Sequence, residues 1–113
     1  MIIRTEYGQL NKIAKEIVEK RILKKLEKIC DKKERLEMLK YTLKSTIDLK
    51  YIEILRKIKK LEKQKKDIFF IEVKSELLAS KIRIFNATFN KKDFYNVLTM
   101  FNDIEKEMND VWV

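Results

Sequence analysis

The longest regular pattern in the chain runs from Thr46 to Lys66. Ile47, Tyr51, Ile54, Ile58 and Leu61 recur at steps of four, three, four and three, with Ile52 and Leu55 widening the stripe. A 3.6-residue repeat gathers such positions on one side, so the spacing predicts an amphipathic helix. Its opposite side is basic, with Arg56, Lys57, Lys59, Lys60, Lys63, Lys65 and Lys66.

Upstream, Thr5 and Glu6 resemble a helix start, and Met1–Arg4 before them read as a short extended arm or a frayed end. Leu10, Ile13, Ile17, Ile22, Leu26 and Ile29 predict a helix to about Cys30. The stripe slips once, by a step of five between Ile17 and Ile22. Asp31 and Glu34 have the spacing of a capping box and mark a turn. Leu36, Leu39 and Leu43 continue as a second helix. Ser45 and Asp48 form another such box, which predicts a break near 45 before the central helix. The competing reading is one rod from Lys32 to Lys66, since neither Gly nor Pro interrupts it.

Asp67 is the next cap. Beyond it Ile71, Leu78, Ile82, Phe85 and Phe89 match a helical stripe, while Ile68–Val73 and Ile82–Phe85 each have the composition of a short strand. Ser75–Ser80 tips the segment towards helix. Asn90, with Asp93 three residues on, caps a last helix carrying Phe94, Val97, Leu98, Phe101, Ile104 and Met108 to about Asn109. Val111, Trp112 and Val113 follow as an apolar tail. The expected fold is all-α, a compact bundle of four or five amphipathic helices with boundaries near 31, 45, 67 and 90. If the break at 45 is absent, one helix is long and coiled-coil-like.

Composition agrees. There is no Pro and one Gly, Gly8, too few turn formers for a sheet fold. A length of 113 residues suits a single domain. The net charge of +9 is uneven: residues 1–66 hold 21 Lys/Arg against 10 Asp/Glu, residues 67–113 hold 6 against 8. The domain thus divides into a basic half and a near-neutral half that contains all six Phe.

A basic helical surface attracts nucleic acid, anionic lipid or an acidic protein. Candidate nucleic-acid contacts are Lys20, Arg21, Lys24, Lys25, Lys28, Lys32, Lys33, Arg56, Lys59, Lys60 and Lys63. Only five of the 27 basic residues are Arg, and Lys point charges suit phosphate tracking better than base reading. If the first three helices run up, down and up, the basic ends of the first and third meet; one long rod disperses them. Lys enrichment also fits plain solvation of helix exteriors, an AT-rich genome or a hyperthermophile.

The second half offers a different surface. Phe69 and Phe70 are adjacent, as are Phe94 and Tyr95, and neighbours on a helix point about 100° apart. One of each pair should face away from the core. With Trp112 they predict a protein interface, to a partner or a second copy. The rival readings are a purely internal role and base stacking.

Catalytic patterns are missing. The sequence has no His, and one Gly cannot build a phosphate-binding loop. Cys30 beside Lys28, Lys32 and Lys33 reads first as a small buried hydrophobe and second as an activated thiol. Glu16 with Glu19, Glu72 with Glu76, and Asp103 with Glu107 are spaced for a bundle metal site, but the accompanying His is lacking. No metal, cofactor or small-molecule substrate is expected. A lone Cys, no signal-peptide pattern and no long apolar run predict a cytoplasmic protein, in the host cytoplasm if viral. Size and charge are those of small all-α basic subunits of nucleoprotein machines and of small phage-encoded inhibitors. The leading expectation is a non-enzymatic binding subunit. The alternatives are a purely structural helical adaptor or inhibitor without nucleic-acid contact and, third, a membrane-surface protein.

Overall fold

The structure, a computed structural model, describes residues 2–112, with side chains for residues 6–111. The chain is all-α: α1 (Ile2–Ala14), α2 (Lys20–Glu27), α3 (Lys32–Lys63), α4 (Phe69–Thr88) and α5 (Lys91–Trp112). No strand occurs among the described residues, so both Ile68–Val73 and Ile82–Phe85 resolve as helix. The contacts group into two compact units, Met1–Asp48 and Leu49–Val113, and the division falls inside α3.

In the first unit, Leu10, Ile13, Ala14, Val18, Leu23, Leu26, Leu36, Leu39, Leu43 and Ile47 are buried. The expected first helix is two helices. The five-residue slip is where they part: Glu16 and Ile17 donate to carbonyls three residues back, Ile13 and Ala14, and Glu19 is extended. That turn puts Val18 and Leu23 into the core, whereas Ile17 and Ile22 are only half-buried. Ile2–Arg4 are helical and not an extended arm; Met1 lies outside the described residues.

Asp31 caps α3 as expected, its Oδ1 accepting from the Lys33 and Glu34 amides at 2.9 and 3.3 Å. The expected break near Ser45 is absent, and α3 runs unbroken for 32 residues. The hydroxyls there bond within the helix: Thr42 donates to the Met38 carbonyl and Thr46 to the Thr42 carbonyl, both at 2.8 Å. Because the helix continues through Ser45, the amides that a cap there would serve are inside it and need none. α3 ends in a Schellman turn. Lys66 N–H reaches the Leu61 carbonyl, Lys65 N–H reaches that of Glu62, and Lys65 is left-handed at φ 59°.

Arg35 secures the first unit. Its Nε and Nη2 donate to the Ile29 carbonyl at 2.9 and 2.6 Å, and its guanidinium lies 5.6 Å from the centre of the Tyr7 ring. One side chain therefore ties α1, the α2–α3 link and α3 together.

In the second unit, Ile54, Ile58 and Leu61 of α3 are buried, with Ile68, then Ile71, Ser75, Leu78, Ile82 and Phe85 of α4, and Phe94, Val97, Phe101, Ile104 and Met108 of α5. Ser75 is satisfied through the Glu72 carbonyl at 2.7 Å. Asn90 accepts from the Lys92 amide, so that expected cap forms; the α4 N-cap is Ile68, which makes no side-chain cap bond, and Asp67 one residue earlier accepts from the Phe69 amide at 3.3 Å. α4 and α5 pack as a hairpin whose turn is filled by Phe85 against Phe89 and Phe94 at 5.2 and 5.4 Å. Lys50 of α3 stands 5.3 Å from the centre of the Phe101 ring. Ile52 and Leu55, expected to widen the buried stripe of α3, are exposed: Ile54, Ile58 and Leu61 already fill its inner face.

Candidate interaction surfaces

The charge contrast read along the sequence does not follow the units. The first holds 13 Lys/Arg against 8 Asp/Glu, the second 14 against 10, so they carry +5 and +4. Within the second unit, residues 49–66 of α3 and its end hold 8 against 2, and residues 67–113 hold 6 against 8.

All eleven candidate phosphate contacts are exposed. α2 presents Lys20, Arg21, Lys24 and Lys25, with Lys28 just past its end, because Leu23 and Leu26 anchor its other side. Lys32 and Lys33 stand in the first turn of α3. Arg56, Lys59, Lys60 and Lys63 occupy its last two turns, opposite Ile54, Ile58 and Leu61. Among the described residues, Arg21 alone of the eleven forms an ion pair, with Glu19 at 2.8 Å. With α3 unbroken, the up-down-up arrangement of three helices does not form. The α2 group belongs to the first unit and the late-α3 group to the second.

The aromatic pairs behave differently from each other. Phe94 is fully buried and belongs to the core, leaving Tyr95 as the outward member, 39 % exposed beneath Lys91. Phe69 and Phe70 both face outward, 64 % and 69 % exposed, with rings edge to face at 5.5 Å. Ile68 and Ile71 take the core positions that one of them was expected to fill. The Trp112 side chain lies outside those described. α4 also exposes Val73, Leu77 and Ile84, which extend the patch along the helix. A second apolar repeat, 70, 73, 77 and 84 beside 71, 78, 82 and 85, is the signal that reveals them. Far-side residues of α3, Leu49 and Ile52 with Leu55, are exposed too.

Three of the paired carboxylates, Glu19, Asp103 and Glu107, hold basic side chains of the same chain. Asp103 and Glu107 receive Lys74, the latter through a direct hydrogen bond that raises the Lys74 pKa, and Glu19 receives Arg21. Between the start of α4 and the end of α5 lies a cleft of about 280 Å³ lined by Asp67, Phe70, Ile71, Glu107, Asp110 and Val111. Cys30 is exposed in the α2–α3 link, not buried, because α2 stops at Glu27 and gives it no inner face. No described helix is long and apolar enough to cross a membrane. Compared with protein-family models, curated proteins and solved structures, the chain finds no match.

Proposed function

We propose that the chain is a non-enzymatic binding subunit of a nucleoprotein or protein assembly. Its Lys-rich helices engage nucleic-acid backbone, or an equivalent acidic protein surface, and its α4–α5 segment docks a protein partner or a second copy. The observation that carries the first half is exposure without pairing: ten of eleven candidate cations have no carboxylate partner among the described residues. Basic groups at a helix end that merely complement its dipole occupy one turn. Here they run through all of α2 and into the start of α3.

Binding to random single- and double-stranded nucleic acid between about 50 and 200 mM salt tests this. With roughly five phosphates neutralised on duplex DNA, log affinity falls about 4.5 units per tenfold rise in salt. Since the two basic surfaces lie in different units, Lys24→Gln with Lys28→Gln and Lys60→Gln with Lys63→Gln are separate arms. Each flattens the slope by about 1.8 if both its residues touch phosphate. No binding at low salt assigns the chain to the second reading, a structural helical adaptor, which the exposed Leu49 and Ile52 of α3 favour.

A further inference from the structure

The outward side of α4 has the layout of a two-stranded coiled-coil seam. Phe70, Leu77 and Ile84 recur every seven residues, and Val73, Ser80 and Ala87 fall three residues after each. Those are the first and fourth positions of a heptad, the a and d sites. The seam is separate from the buried stripe of Ile71, Ser75, Leu78, Ile82 and Phe85, so α4 can pack on α5 and still present it.

We propose that this face pairs with the same face of a second copy of this chain, the two α4 helices running parallel. The inference rests on the reading of the α4–α5 segment as an interface. Its first support is charge. On one flank of the seam stands Glu76 and on the other Lys81, five residues later. In a parallel pair that is the spacing at which flanking residues of the two helices meet, so Glu76 of each copy faces Lys81 of the other. Neither residue has an ion-pair partner within the described chain. An antiparallel pair would instead set Lys74 against Lys81 of the second copy as well as Glu76 against Arg83, mixing like with opposite charges, whereas the parallel pair makes the Glu76–Lys81 contact twice. The second support is area. Phe69, Phe70, Val73, Leu77 and Ile84, at 41–69 % exposure, together leave about 500 Å² of side chain in water. Two such faces, fully covered, remove about 1,000 Å², the threshold that a specific interface must clear. The third is the net charge of −2 over residues 67–113, which lets two copies approach here despite +9 on each chain.

Sedimentation equilibrium of the full chain without nucleic acid, over a wide concentration range, provides the test. Wild type is expected to dimerise. Leu77→Asp, at a half-exposed position that leaves the fold intact by circular dichroism, weakens the dimer at least about a hundredfold. Glu76→Lys and Lys81→Glu each weaken it roughly tenfold, and the double exchange restores it. A wild type that stays monomeric overturns the proposal, as does a Leu77→Asp variant that dimerises normally. Tighter association in Lys81→Glu overturns the parallel arrangement. Nucleic-acid titrations on the same samples separate this outcome from the basic-surface reading: monomers that still bind with the expected salt slope refute the pairing alone.

Discussion

Lys74 of α4 donates to the Glu107 carboxylate of α5, with Asp103 one turn away at 3.6 Å. The pair joins the two helices of the hairpin on the side opposite its aromatic turn. The hydrogen bond it donates to Glu107 holds the Lys74 ammonium above its ordinary pKa of 10.5, against the opposing effect of desolvation. A raised pKa means the folded chain binds this proton more tightly than the unfolded one. The contribution is complete below the ordinary Lys value and disappears as pH rises through the raised one. Urea unfolding of wild type and Lys74→Met should therefore differ at neutral pH and converge as the pH rises through the raised Lys74 value.

Tyr7 is a stabilising target of the opposite kind. Its hydroxyl is buried with no hydrogen-bond partner, and burial raises its pKa despite the nearby Arg35 guanidinium. The ring is what Arg35 uses. Tyr7→Phe keeps the ring and removes the unpaired group, so stability should rise by about 1 kcal/mol. Unchanged or lower stability in thermal melts would show that the hydroxyl is satisfied.

Backbone positions offer a second gain. The one glycine, Gly8, sits inside α1, where an added Cβ meets nothing within 4 Å. The left-handed position that favours glycine holds Lys65. Gly8→Ala should stabilise by about 1 kcal/mol through helix propensity. Lys65→Gly should add about 1 kcal/mol by relieving the left-handed strain. The sites are far apart in sequence and share no described partner, so the effects should add in a double variant measured by denaturant unfolding.

Phe94 and Tyr95 separate core from surface in one dipeptide. Phe94→Ala opens a cavity beside Phe85 and should lower stability by about 3–5 kcal/mol. Tyr95→Ala removes a half-solvated ring and should change it by less than about 1 kcal/mol. Equal losses would mean that Tyr95 is packed as firmly as its neighbour.

What was legible in the sequence was what is local. Asp31 and Asn90 signalled caps because a cap is made within three residues of the chain, and Asp67 marked the start of α4 to within one residue, with Ile68 in the cap position. Ser45 gave the same signal wrongly, since α3 runs through it unbroken and the amides around it lie within the helix, where nothing needs a cap. The five-residue slip before Ile22 was visible, but only packing decides whether a slip becomes a turn. Arg35 was unreadable: its partners, the Ile29 carbonyl and the Tyr7 ring, come together only after the chain has folded back. On α4 the two apolar repeats interleave, and a single-stripe reading finds Phe70 while missing Val73, Leu77 and Ile84.

The unbroken run of α3 across the boundary at Asp48 bears on the order in which the chain is built. Every residue of the first unit leaves the ribosome before any residue of the second. Starting a helix is the slow and unfavourable step, and lengthening one is easy. Once the first unit has ordered Lys32–Asp48, residues 49–63 extend an existing helix and need no new start. A glycine pair at Ser45 and Thr46 would remove that inheritance, and stopped-flow refolding should then show the fluorescence of the second unit recovering more slowly. An unchanged rate would mean that its part of α3 starts independently.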